Sequence, residues 1–248
     1  MRQLAPPSPF GQGHRLGTLW LQEPGGCHRL DGDHLAYLHS THAADGDLRS
    51  LDPGLYDQLR LMAATSGRPV SVRETCRALP TDTVRFDGPL RLEDPVHGDR
   101  AARAATRESW FHAAMVAVAP CSLVFIDSDN GADDDATPSS SDHADDGISM
   151  SEVARLLERG QSVLTHQLAD PSQTMSELTQ AHLSGVHEAL GVEPLAMTQE
   201  SHGRARLFTV IPHDRHRSDL EDRIGALQLS SWGDEFRVYH RLSALAAA

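Results

Sequence analysis

The 248-residue chain contains no lysine, so all 22 of its Lys and Arg residues are arginine. This excludes a lysine Schiff base, a P-loop lysine and a lysine general base. Arginine keeps its proton, so it can clamp an anion but cannot act as the base. Cysteine is nearly absent too. Cys27, Cys76 and Cys121 are odd in number and widely spaced, with no Cys-x-x-Cys pair. That argues against a disulfide framework and against a thiolate zinc site. Aromatic residues make up only 5% of the chain. No apolar run approaches the length of a membrane span, and the prolines between Met1 and Pro9 stand where a signal peptide needs an apolar core. The expectation is a cytoplasmic protein with no membrane partner. The net charge of −13 argues against a generally basic nucleic-acid binder but leaves room for a local basic groove.

What is present reads as alternating strands and helices. Residues 1–13, with three prolines and two glycines, read as a disordered lead-in, and 14–248 as a single α/β domain. Leu16-Gly17-Thr18-Leu19-Trp20-Leu21 is the first strand, closed by the turn signal Glu23-Pro24-Gly25-Gly26. Asp52 and Pro53 open a helix as N-cap and first residue. Thr83–Phe86 alternates as a strand, and Asp99–Val118 carries an apolar stripe that Pro120 stops. Cys121-Ser122-Leu123-Val124-Phe125-Ile126 is a short continuous apolar run. In an alternating chain that marks a central parallel strand buried on both faces.

Residues 131–147 are acidic, polar and without apolar anchors, and read as a mobile loop. Ser149 and Glu152 make a capping-box pattern for a helix that Gly160 ends. Ser162–Thr165, Arg206–Ile211 and Phe236–His240 read as strands, and Thr174–Leu190 and Ser218–Leu229 as helices. The fold class follows: a three-layer, Rossmann-like, doubly wound and mostly parallel sheet, with an antiparallel C-terminal edge strand. In such sheets chemistry lies at the carboxyl ends of the strands. That rule draws Asp127–Asn130, Thr165–Gln167 and Pro212-His213 together.

Asp127-Ser128-Asp129-Asn130-Gly131 follows the most buried strand directly. Two carboxylates there carry a desolvation cost unless a metal, a ligand donor or backbone N–H groups offset it; the plainer reading is an Asx turn. His166 at the end of the next strand can serve as a base, a ligand or an orienting group, or simply cap the strand. Arg204 and Arg206 belong to the one basic cluster in the chain, His202–Arg217, which suits a phosphate-bearing partner or forms a solvated face. Asp31-Gly32-Asp33-His34 after the first strand can cradle a nucleotide-like cofactor, although its glycines lack the dinucleotide spacing.

Several segments together resemble a known family. They are Leu19-Trp20-Leu21 with Asp31-Gly32-Asp33-His34 and Tyr37-Leu38, then Asp52-Pro53-Gly54-Leu55-Tyr56-Asp57-Gln58-Leu59, then Leu123–Gly131, then Glu158–Val163, and finally Arg204–Phe208 with Ser231-Trp232-Gly233. The chain from about Leu16 onward resembles an uncharacterised family of bacterial and phage-associated proteins with an Asp-Pro-Asp-Asn-Gly signature; Ser128 stands where that family has proline. The family is in turn similar to Rossmann-type methyltransferases that act on nucleic-acid bases. The resemblance implies S-adenosylmethionine as cofactor, near Gly32, Asp33 and His34. It implies a nucleic-acid base or nucleotide as substrate, with Asp127 and Asn130 holding the target amine and Arg204 and Arg206 on phosphates.

Two other readings stand beside it. Asp127 and Asp129 can hold magnesium or manganese, with His166 nearby, in a metal-dependent phosphodiesterase or nuclease. The chain can also be a non-catalytic binding protein of the same fold.

Overall fold

The computed structural model describes residues 13–20, 49, 52–66, 79–88, 90, 100–127, 132–133, 147–168, 174–201, 204–230 and 233–239. The chain divides into two compact units, Gln22–Thr83 and the larger Met1–Leu21 with Val84–Ala248.

In the smaller unit, helix α1 (Pro53–Ser66) begins as the sequence predicts. Asp52 Oδ1 accepts the Leu55 N–H at 3.0 Å, and Pro53 occupies the first turn, where its missing donor costs nothing.

The larger unit contains strands β1 (Leu16–Trp20), β2 (Val84–Phe86), β3 (Leu123–Asp127), β6 (Ser162–Leu168), β7 (Leu195–Ser201), β8 (Arg204–Ile211) and β9 (Arg237–Tyr239). A small parallel pair, β4 (Ala132–Asp133) and β5 (Ile148–Ser149), stands apart. Helices α2 (Arg100–Ala117), α3 (Met150–Glu158), α4 (Met175–Leu190) and α5 (Arg217–Gln228) complete the unit. No described helix is long and apolar enough to cross a membrane.

The seven strands hydrogen-bond in the order β2-β1-β3-β6-β8-β7-β9. The first four are mutually parallel. β8 and β9 run against the rest, so the sheet is mostly parallel at its centre and antiparallel toward its C-terminal edge. β7 is absent from the sequence reading. Both of its sides are buried, with Leu195 and Ala196 on opposite faces and Thr198 also buried. It therefore lacks the apolar–polar alternation that marks a half-buried strand.

Strand alternation divides the core. On one face Leu19, Val124, Ile126, Val163 and Ile211 pack against Trp110, Phe111, Ala114 and Val118 of the α2 region and Val153 and Leu156 of α3. Farther along, Ala196 and Leu207 meet Leu178 and Leu183 of α4. On the opposite face α5 lays Leu220 and Ile224 over Leu195 and Val210. Each fully buried Leu, Ile or Phe contributes about 1.5–3 kcal/mol.

The α3 terminus is tied with unusual economy. Ser149 Oγ accepts the Glu152 N–H at 3.2 Å, and Glu152 Oε2 accepts the Ser149 N–H at 3.0 Å. The same carboxylate takes Arg107 of α2 in a bidentate pair at 2.9 and 2.7 Å. Arg107 also donates to Gly147 O at 2.6 Å. The capping box thus fixes the helix and docks it on its neighbour. Gly160 then reverses the chain into β6 at φ +80°, a left-handed backbone that favours glycine.

Candidate functional site at the carboxyl edge of the sheet

From β1 the chain steps to β2 on one side and then returns to β3 on the other. The strand order therefore reverses between β1 and β3. In open α/β sheets, that reversal opens a crevice at the carboxyl ends of the strands. Trp20, the last residue of β1, lies opposite Asp127, the last of β3. The sequence-predicted acid is therefore set at the edge where chemistry concentrates in this architecture. Ser128, Asp129 and Asn130 lie outside the described residues, as do Gly32, Asp33 and His34 in the smaller unit.

β6 extends to Leu168, three residues beyond the expected strand end, so His166 is inside the strand and does not cap it. β3 and β6 are paired through Ile126 and Thr165. One further step of the same register sets Asp127 level with His166. The level continues across the sheet: His166 opposite Phe208, Phe208 opposite Met197, and Met197 opposite Val238.

Four rings at or beside this level lie near one another. The His166 ring lies 6.3 Å from Phe125 and 6.1 Å from Phe208, and Phe208 lies 6.1 Å from Phe236. All four residues are half-buried. α5 packs over Leu195 and Val210, with Leu164, Met197 and Val238 beside them, and Phe125, Phe208 and Phe236 belong to none of the core clusters. Two residues farther out, Arg206 lies opposite Leu168 and Gln199. By strand alternation it shares the face of Phe208. It is half-buried and makes no ion pair among the described residues. Arg204 begins β8 opposite Ser201. Asp127, His166 and Arg206, separated in sequence, thus converge on one edge.

Pro212-His213 does not join them. The antiparallel course of β8 carries its C-terminal end to the amino-terminal edge of the parallel strands, about 27 Å from Arg204 at 3.4 Å per residue. The basic stretch His202–Arg217 is therefore two groups at opposite edges, not one cluster.

At that far edge the groups are engaged with one another. His14 Nε2–H donates to Asp219 Oδ2 at 2.7 Å, and His14 Nδ1 accepts the Ser122 hydroxyl at 3.0 Å. Ser162 Oγ accepts the His213 N–H at 3.0 Å and His216 Nδ1–H at 2.9 Å. His216 Nε2 accepts Arg215 Nε–H at 3.0 Å, and Arg215 also donates to Gly160 O. These bonds tie the entries of β1, β3 and β6 to the start of α5. Burial, reinforced by the neighbouring His14, Arg215 and His213, pushes the His216 pKa down to about 4. Arg223, and secondarily His14, hold the Asp219 carboxyl below its usual range. Sequence spacing gave no sign of this network, because its members come from four distant segments.

A second polar group lies inside the fold. Thr179 Oγ1 and His182 Nε2 of α4, Thr198 Oγ1 of β7, Thr209 Oγ1 of β8 and Gln167 Oε1 of β6 are buried with no hydrogen-bond partner among the described residues. By register, Thr209 lies diagonal to both Gln167 and Thr198 on the face that α4 covers. Burial lowers the His182 pKa to about 4, so its imidazole is neutral at physiological pH.

Among the described residues no group of three or more His, Cys, Asp or Glu side chains is arranged to hold a metal ion; Asp129, the second acid of the expected pair, is outside them.

No family model and no curated protein matches the sequence. Among solved structures, the chain is similar to protein LPL1258 from Legionella pneumophila str. Philadelphia 1, of the DUF519 family. The two are 10% identical with a TM-score of 0.42, over 92% of this chain and 89% of that one.

Proposed function

We propose that this protein is an S-adenosylmethionine-dependent methyltransferase acting on a nucleic-acid base, with its site in the crevice between β1 and β3. One observation carries the reading: the register that sets Trp20 beside Asp127 at the point where strand order reverses. That crevice is where nucleotide-type ligands bind in doubly wound sheets. An acid at its rim fits the family resemblance, in which Asp127 and Asn130 hold the amine to be modified.

The cofactor supplies an activated methyl group. The chain's own part is positioning and electrostatics. Asp127 and Asn130 accept N–H hydrogen bonds from an exocyclic amine and orient its nitrogen lone pair. The Asp127 carboxylate also stabilises the positive charge that the nitrogen gains as it is alkylated. The family resemblance assigns Gly32, Asp33 and His34 to the cofactor and Arg204 and Arg206 to phosphates.

Calorimetric titration of the full chain with S-adenosylmethionine, followed by transfer of a labelled methyl group to mixed RNA and DNA, tests the reading. The expected result is saturable binding and incorporation of label, with Asp127→Ala losing the label while keeping its melting temperature. Absence of both heat and thermal stabilisation at millimolar cofactor overturns it, because a ligand that binds the folded state must stabilise it.

A further inference from the structure

We propose that His14, His213 and His216 form an acid-released clasp: protonation of the imidazoles frees the turn at 213–216 and the first turn of α5 from the entries of β1, β3 and β6 while the sheet stays folded. The inference is independent of the methyltransferase reading, since the clasp stands at the amino-terminal edge of the parallel strands and Asp127 at the carboxyl edge.

The three rings touch in sequence. The His14 and His216 centroids lie 4.8 Å apart with the rings nearly perpendicular, and those of His213 and His216 lie 5.8 Å apart. Their partners fix which nitrogen carries a proton. A guanidinium N–H can only donate, so His216 Nε2, 3.0 Å from Arg215 Nε, must accept. The proton of neutral His216 then lies on Nδ1 and goes to Ser162 Oγ. The backbone N–H of Arg215 likewise only donates, so His213 Nδ1, at 3.3 Å, must accept and thereby caps the short turn Asp214–His216. Arg215 thus pins two imidazoles through nitrogens that carry no proton, while its guanidinium holds Gly160 O.

A proton added to either acceptor sets N–H against N–H and breaks the bond to Arg215. His14 behaves differently. Its Nε2–H faces the Asp219 carboxylate at 2.7 Å, and its Nδ1 faces the Ser122 hydroxyl at 3.0 Å. That oxygen already accepts the Arg15 N–H at 3.1 Å, and its second lone pair can accept an Nδ1–H. His14 can therefore be charged in place, 4.8 Å from His216. The other charges that act on His216 are Arg215 and His213 of its own turn and Asp219 of α5, which alone opposes them. Arg223 already shares Asp219 at 2.7 Å, and Asp214 and Arg217 flank the turn. Acid thus adds cations that one shared carboxylate cannot offset, and charge changes in histidine clusters open packed contacts in this way. Burial and these neighbours lower the His216 pKa to about 4, whereas an imidazole released to water titrates near 6.5. The open form takes up the proton first, so acid favours opening.

Hydrogen exchange of the full chain, expressed as protection factors corrected for the intrinsic effect of pH, tests the proposal. Between about pH 7 and pH 5 the amides of 213–220 should lose about tenfold in protection relative to those of 123–126 in β3. His213→Asn with His216→Gln puts an amide oxygen, which does not titrate, in place of each acceptor nitrogen. This double variant should keep its protection over the same range. In the wild type at neutral pH, the nitrogen chemical shifts of the imidazoles should show His216 protonated at Nδ1 alone and His213 at Nε2 alone, a measurement that needs no variant.

Parallel loss of protection in both segments overturns the proposal, because acid then acts on the whole fold. So does an equal loss in the double variant, because the two acceptor nitrogens are then not what the proton reaches. A neutral His216 that carries its proton on Nε2 overturns it as well, since Arg215 then holds no acceptor there.

Discussion

His182 gives the sharpest test of the packing between α4 and the sheet. The residue is half-buried, its Nε2 is buried with no hydrogen-bond partner among the described residues, and no neighbouring charge acts on the ring. Burial therefore disfavours the imidazolium with nothing to offset it. The pKa falls from 6.5 to about 4. At about 1.4 kcal/mol for each pH unit, this amounts to about 3 kcal/mol of differential protonation. The sign is that of a depressed base. Above pH 6.5 neither the folded nor the unfolded form holds the proton, and the residue contributes its full stability. As pH falls from 6.5 to 4 the unfolded chain takes up the proton first, and stability is lost.

In His182→Leu that window should vanish. The substitution also removes an unsatisfied polar atom, so stability near pH 8 should match or exceed that of the wild type. Urea melts between pH 8 and 4.5 should show the two proteins diverging by about 2.5 kcal/mol in favour of the variant over that range. Because the other histidines and the carboxylates are common to both proteins, the difference isolates His182. If the two stability curves run parallel, within about 0.5 kcal/mol, then His182 is not held neutral by burial and the account of this interior is wrong.

Three further outcomes follow from the packing. Glu152→Ala strips α3 of half its capping box and removes the carboxylate paired with Arg107, whose side chain is 18% exposed; a loss of about 3 kcal/mol is expected in chemical denaturation. Gly160→Ala imposes a Cβ at φ +80° and 2.6 Å from Arg215 Nη2; it should lower stability by about 1–3 kcal/mol, part of which Arg215→Ala in the same chain recovers by clearing the clash. Leu156→Ala empties a fully buried site beneath α3 and should cost about 2–5 kcal/mol, read as a fall in melting temperature with no change in secondary structure by circular dichroism.

Local chemistry made much of the fold legible. Asp52-Pro53 and Ser149 with Glu152 are caps whose partners lie within three residues, and each starts its helix as the sequence indicates; the Thr174–Glu177 capping box of the next helix is equally local, although the sequence reading does not include it. In the run Leu123–Ile126 the central β3 buries Leu123, Val124 and Ile126 and half-buries Phe125, so apolar residues stand on both of its faces, which is why it stands out in the sequence. These features depend on spacing along the chain, and spacing is all a sequence contains.

The tertiary structure alone decided direction and adjacency. Nothing local to Arg204–Ile211 says that β8 runs against β6. Yet that reversal sends His213 and Arg215 to the far edge of the sheet, while Arg206 stays near His166. Phe125 and Phe208 read as ordinary strand residues, and His166 as a group at a strand end, until pairing registers bring them side by side. The His14–Ser122–Asp219 chain is likewise invisible, since its hydrogen bonds join residues 108 and 205 positions apart. Hydrogen bonding between strands fixes register and polarity non-locally, so which residues share a face is set only when the sheet closes.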